Sequence, residues 1–348
     1  MNGIEVRVYN TDLELQGIID EFSSLIWIRR YQEPGEFELQ TPYTDESRRL
    51  LVPNNIVQRF DGLAVVDAGV IENIRMTSDT IIVKGRFLEG LFDLRITKNG
   101  TQYFSGKVEE SLRSLVDNTR HIWHLYLGEK NNLDETLEFQ TTFKSLLNIV
   151  SKACKATALG FRIRPDFEDL KMYFEIYKGE DRTYNNADKV IFSDTYDNIF
   201  NEEYQYDNTN YKTNIWATQI VNDYREVVNV MAPDALPLNI REGHISTSVD
   251  TNNKTTEEIH ASMEVQAWRA MDSRTINESF TFAVDAEAPF RYRTDYDLGD
   301  KVNVKHMAWG IDLSLRITAI EEDFVNGGRE VVLTCGSPMP EIIDFEEG

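Results

Sequence analysis

Between residues 24 and 104 the chain is cut into short runs of β-branched and aromatic residues by turn-forming pairs, and this punctuation constrains the fold more than any other feature. Residues 24–31 and 36–41 flank Gln32-Glu33-Pro34-Gly35, where proline presets φ and glycine admits positive φ. The spacing predicts a hairpin with Trp27 and Phe37 on paired strands. Asp61-Gly62 separates 56–60 from 63–66, Ser78-Asp79 separates 71–76 from 81–85, and Asn99-Gly100 separates Leu94-Arg95-Ile96 from Gln102-Tyr103-Phe104. Polar and apolar residues alternate in most runs, as in Glu36-Phe37-Glu38-Leu39-Gln40, which implies one buried and one wet face. A twisted antiparallel sheet or open barrel satisfies the pattern.

After residue 107 the period changes. Leu112, Leu115, Val116, Thr119, Ile122 and Trp123 fall on one side of a helix, and Phe143, Leu146, Leu147, Val150 and Cys154 repeat the spacing after a Thr141-Thr142 start. Gly160 is placed to stop the second helix, and 161–164 with 170–177 read as a hairpin joined through 165–169. A charged stretch, 178–183, then leads back to extended segments such as 190–192 and 214–217. Pro233 and Pro237 bracket a junction. Beyond it a helix is expected at about 256–274, with Ile259, Met263, Ala267, Ala270 and Met271 on one side and Trp268 close by. Strands at 301–305, 313–321 and 330–335 end the chain, the last hairpin turning at Asn326-Gly327-Gly328. The pattern alone gives β, then α+β, then β.

Charge narrows the choice of ligand. Lys+Arg 36 against Asp+Glu 59 leaves a net charge of −23, which argues against a general grip on nucleic-acid phosphates. Hydrophobic residues at 41% and aromatics at 11% supply enough apolar area for a folded core, so the acidity is not that of a disordered tail. Cys154 and Cys335 cannot make a disulfide framework or a structural zinc site in one chain, so packing must hold the fold, and both read as small hydrophobes. No run approaches 18 apolar residues and the first residues lack a signal-peptide pattern, so synthesis and folding in a cytoplasm are expected, with no membrane segment.

A search for chemistry gives little. Asp295, Asp297 and Asp300 could offer oxygens to calcium, yet the calcium-loop pattern fails, because position 5 is Gly299 and position 12 is His306. A structural turn is the expected role. His121 and His124 lie three apart at the first helix or its end without a third zinc ligand nearby, while His244, His260 and His306 are scattered. There is no nucleophile elbow, His-Glu-x-x-His helix or phosphate loop. With so many carboxylates a glycosidase pair is formally conceivable, but chance pairs are expected on an acidic surface. Tyr204, Tyr206 and Tyr211 could stack on sugars or fill a subunit interface. The reading assigns no catalytic, cofactor-binding or metal residue, no cofactor and no enzyme activity.

Several segments in order resemble the hub proteins of phage tails, in particular small siphophage minor tail proteins. They are Ser24-Leu25-Ile26-Trp27 with Gly35-Glu36-Phe37-Glu38-Leu39, then Tyr177-Lys178-Gly179-Glu180-Asp181-Arg182-Thr183, then Val190-Ile191-Phe192-Ser193 with Asp197-Asn198-Ile199. The closing pieces are Tyr296-Asp297-Leu298-Gly299-Asp300-Lys301-Val302-Asn303-Val304 and Arg316-Ile317-Thr318-Ala319-Ile320-Glu321. The resemblance implies a mainly β chain of two tube-like antiparallel β-barrel domains with an inserted helix and hairpin domain. It places the first tube-like domain at 1–107, with 190–232 as its candidate completion, the α+β insert at 108–189, and the second tube-like domain at 233–348. The implied assembly is a homotrimeric ring in a virion tail or bacteriocin-like particle, surrounding the central channel. Its implied partners are the tail tube or distal tail protein and the spike or tip protein, with the tape measure protein a further candidate. An acidic channel wall would not retain a phosphate backbone. The chain stops just after its last strand, so no fused hydrolase is expected. The alternative reading is a carbohydrate-binding or cell-wall-recognition module of a tail.

Overall fold

The computed structural model describes residues 4–62, 67–97, 102–119, 121–233, 235, 237–252, 254–272, 274–285, 289–325 and 328–337. The chain is mainly β with an α+β insert, and it divides into two compact units: Met1–Glu203 with Phe280–Gly336, and Tyr204–Ser279 with Ser337–Gly348.

In the first unit the expected hairpin forms. Strand Ser24–Arg30 runs antiparallel to Glu36–Pro42 with Trp27 opposite Phe37, and burial alternates along both. Glu36–Pro42 pairs onward with Thr80–Arg86, and that strand with Asn73–Met76 around the Ser78-Asp79 turn. On its other side Ser24–Arg30 meets residues 319–325 of the long strand Ile311–Val325. The first half of that strand pairs with Lys301–His306, and its register shifts against Gly328–Gly336 between Ile317 and Ala319. A smaller sheet of Leu15–Ile19, Glu5–Tyr9, Ile56–Phe60 and Gly69–Val70 shares a core with the hairpin, including Val8, Leu25, Trp27, Phe37, Val57 and Val83. Each such fully buried aliphatic or aromatic side chain contributes roughly 2–3 kcal/mol relative to exposure.

The insert buries both helices on a three-stranded sheet, Leu125–Leu127, Lys171–Tyr177 and Gly160–Asp166. The hairpin of the last two strands matches the sequence reading, with Phe161 opposite Ile176. The first helix, Val108–Thr119, buries Leu112, Leu115 and Val116 but stops before Ile122 and Trp123. The second, Leu146–Thr157, starts at Ser145, whose side chain accepts from Asn148 N–H, not at Thr141-Thr142. Thr141 instead ends strand Phe139–Thr141, which pairs with Gln102–Phe104. Gly160 does not cap this helix. Ala158 does, at φ 54, while Gly160 opens a strand where a Cβ would collide with the Tyr31 ring. Leu94-Arg95-Ile96 was expected to be a strand and is not. Residues Leu88–Leu94 form a 3-10 helix and Ile96 makes a single bridge to Ser145. The expected turns at Asn99-Gly100 and Asn326-Gly327, and the strand at 63–66, fall outside the described residues.

In the second unit, strand Asn214–Val221 lies between Tyr224–Met231 and Glu242–Ser246. Asn222 and Asp223 both take positive φ, 49 and 66, as a tight two-residue hairpin demands. Helix Thr256–Asp272 buries Ile259, Met263, Ala267 and Met271 on Ile215, Ala217, Val228 and Val230, and Trp268 stays exposed. No helix among the described residues is long and apolar enough to cross a membrane.

Candidate functional site

Each acid of the turn at 295–300 accepts from at least one N–H donor. Asp295 accepts from Arg291 N–H at 2.7 Å, and Asp297 Oδ1 accepts from Leu298 N–H and Arg29 Nη1, both at 2.7 Å. Asp300 Oδ1 accepts from Glu180 N–H at 2.7 Å, while its Oδ2 takes Arg182 Nε at 2.8 Å and Asp297 N–H at 3.0 Å. The three carboxylates therefore serve different donors. No group of metal-ligating side chains converges among the described residues. Gly299 sits at φ 93 against Tyr31, a backbone state and a proximity that a side chain would not tolerate. This turn thus fastens the exit of the insert, residues 178–182, to the end of strand Ser24–Arg30.

Beneath it lies a buried charge cluster that the sequence pattern did not disclose. Arg29 Nε pairs with Asp67 at 2.7 Å, its Nη1 also donates to Tyr292 OH at 2.7 Å, and Trp27 Nε1 donates to the other Asp67 oxygen at 2.9 Å. Burial works against the charged Arg29, but Tyr292, Asp297 and Asp67 outweigh it and hold its pKa above the ordinary value. For Asp297, burial likewise opposes ionisation and Arg29 reverses the balance, so its pKa is lowered. Nearby, Arg59 pairs with Glu322 and, at 3.2 Å, with Asp61, while Arg329 reaches Glu322 at 2.7 Å. Burial and then Arg293 bring Arg59 down to about 10. The Phe324 ring lies 5.6 Å from one guanidinium and 5.9 Å from the other. In such a cluster the cost of desolvating the charges offsets much of their mutual attraction.

One sheet face is rich in carboxylates. Glu321 lies across from Ile28, Ile28 from Glu36 and Glu36 from Arg86, and the next row is Asp323, Ile26, Glu38, Lys84. A groove of about 400 Å³ runs over these rows. Burial raises the pKa of Glu321, helped by Asp323, and that of Asp323, helped by Glu330.

The remaining candidates are dispersed. His121 and His124 follow the first helix; the His121 carbonyl accepts from Arg95, and His124 sits at φ 61 with Nε2 4.0 Å from Asp12. His244 bonds Thr218, His260 lies 2.7 Å from Glu226, and His306 stacks on Trp309 with centroids 3.8 Å apart. Cys154 and Cys335 are buried, and burial pushes both thiols up. Tyr204 donates to Glu278 at 2.8 Å, and burial followed by that carboxylate pushes it up to about 12. Tyr206 is exposed and Tyr211 half-buried.

Solved structures of phage tail proteins share the fold from end to end. The tail protein of Neisseria meningitidis MC58 superposes with a TM-score of 0.60 at 15% identity, covering 96% of this chain and 97% of that one. The 43 kDa tail protein of prophage MuSo2 from Shewanella oneidensis gives 0.60 at 12%, with 95% and 98% covered. Prophage tail protein gp18 of Listeria monocytogenes EGD-e gives 0.54 at 16%, with 95% and 94% covered. At such identities the likeness is one of fold. No curated protein sequence gives a significant match. The family model of the siphovirus ReqiPepy6 Gp37-like proteins, in contrast, matches residues 5–337, and the chain belongs to that family.

Proposed function

We propose that the chain is the structural hub of a phage tail or phage-tail-like particle, three copies closing a ring that joins the tail tube to the tip or spike around the central channel. The observation that carries this reading is the end-to-end correspondence of fold with phage tail proteins, with nothing large left over on either side. In the ring, residues 1–107 act as the first tube-like domain, 108–189 as the insert and 233–348 as the second, with 190–232 a candidate completion of the first. Strand Ile311–Val325 is then shared between them, since its two halves pair with different strands. The net charge of −23 suits a protein around a channel, because an acidic wall does not retain a phosphate backbone.

In this role the protein works through interface geometry and not through catalysis. Its partners are further copies of itself, the tube or distal tail protein, and the tip or spike, with the tape measure protein next in order. It resides in the tail of the particle after synthesis in the bacterial host. Copy number in isolated particles, counted by electron microscopy, tests the reading: three copies in a ring are expected, and a two-fold dimer as the sole assembly overturns it.

A further inference from the structure

Segments 94–108, 118–128 and 139–165 together hold nine Lys or Arg and no Asp or Glu, although a stretch of that size would carry about nine acids at the average of this chain. Of these, Lys107, Lys155, Arg162 and Arg164 pair with Asp134, Glu33 and Glu175 from elsewhere in the chain, and hydrogen bonds to the backbone draw residues 94–97, 121 and 144–146 together. Thr97 N–H donates to the Lys144 carbonyl at 2.9 Å, Leu146 N–H donates to the Arg95 carbonyl at 2.9 Å, and Arg95 Nη2 donates to the His121 carbonyl at 2.9 Å. Ile96 bridges Ser145, and strands Gln102–Phe104 and Phe139–Thr141 pair alongside.

In these segments Leu94, Ile96, Tyr103, Trp123 and Phe143 are exposed by 63, 46, 77, 72 and 63%. Together they offer on the order of 600 Å² to solvent, as much as the largest apolar patch of a typical monomer and most of one side of a standard interface. Phe143 is held at φ 47, a left-handed state disfavoured for an L residue, with its side chain exposed. Among the described ion pairs neither Arg95 nor Lys144 has a carboxylate partner, Arg95 donating instead to the Leu94 and His121 carbonyls, and neighbouring Asp93 is held by Arg86 at 3.1 Å.

We infer that this face docks, head to tail, on an acidic surface of a second copy of the chain. The charge distribution selects that occupant and that symmetry. Two such faces meeting across a two-fold axis would set Arg95 and Lys144 of one copy against those of the other, a like-charge contact without counter-ions. The remainder of the same chain carries all 59 acids and is therefore complementary to the face. A contact between two different patches of identical chains is heterologous, and with a suitable rotation it closes a ring. The inference rests on the ring-forming hub reading and assigns the patch that closes the ring.

The test is native mass and sedimentation of the full chain beside Trp123→Ser/Phe143→Ser and Lys144→Glu. Association is expected to weaken at least tenfold in the double variant and measurably in Lys144→Glu, with thermal midpoints near that of the parent because these side chains are exposed. Variants that fold and assemble like the parent overturn the inference and leave the hub reading intact. A parent that stays monomeric at high micromolar concentration also overturns self-docking, and the hub reading then stands or falls on copy number in particles. Binding of the parent to phosphatidylglycerol vesicles, lost in the double variant, would assign the face to lipid and overturn the inference as well.

Discussion

Glu89 Oε1 accepts a hydrogen bond from the backbone N–H of Ile163 at 2.7 Å, tying the 3-10 helix Leu88–Leu94 to the hairpin of the insert across 74 residues of sequence. The other oxygen, Oε2, is buried without a hydrogen-bond partner. Burial pushes this carboxyl up to about 7, with Asp67 adding to the rise and the Ile163 N–H and Arg29 opposing it.

That environment makes stability depend on pH with a definite sign. A carboxyl raised in the folded state binds its proton more tightly there than in the unfolded chain, so its contribution is complete below about pH 4.5 and is lost as pH rises through 7. Between pH 5 and 9 the loss amounts to roughly 2–3 kcal/mol. Glu89→Gln keeps an acceptor for Ile163 and cannot ionise, so urea denaturation should show it flatter over this range and more stable than the parent at pH 9. Parallel curves for the two proteins would show that Glu89 ionises without cost.

Gly299 and Gly310 separate clash from backbone strain. Both have positive φ, 93 and 67, but a Cβ at Gly310 meets open space while one at Gly299 strikes Tyr31. Gly310→Ala should cost about 1 kcal/mol and Gly299→Ala at least about 2 kcal/mol, measured by chemical denaturation. Equal losses would mean that the Tyr31 ring yields freely.

The two carboxylates on Arg29 should differ in the same way. Asp67 is nearly buried and also receives Trp27 Nε1, so Asp67→Ala strands a buried cation and should cost about 3–5 kcal/mol. Asp297 is about half exposed, at 48%, and Asp297→Ala should cost only about 1 kcal/mol. Calcium titration of the parent by calorimetry should give no stoichiometric heat, and heat that vanishes in Asp297→Ala would restore a metal role for the turn.

Peptidoglycan provides a check on the absence of chemistry. Purified chain is expected to release no muropeptides. Release abolished by a single Asp or Glu substitution would promote the glycosidase alternative.

What could be read from the sequence is what local chemistry decides. The Trp27 and Phe37 strands followed from period-2 alternation and a Pro-Gly turn, and both insert helices from their apolar stripes. Boundaries went astray where tertiary contacts prevailed: Gly160 is glycine because Tyr31 packs on it, and Leu94 to Ile96 are recruited by Ser145 and its neighbours instead of a hairpin partner. Arg29, Arg59 and Glu322 gave no signal at all. Each looks like an ordinary surface charge until partners distant in sequence are brought to it: Asp67 and Asp297 for Arg29, and Arg59 and Glu322 for each other. The exposed face of the insert was hidden for a related reason, since Trp123 and Phe143 fit the helical period that the helix ends do not reach.

Cys154 lies in the core of the insert and Cys335 in strand Gly328–Gly336, both fully shielded and both with thiols held protonated by burial. Neither reacts appreciably until its own layer opens, so a thiol reagent added to the native protein acts as a pair of clocks. With each cysteine replaced in turn, the labelling rate of the other would time the breathing of the helical layer and of the sheet independently, without any probe having to be introduced.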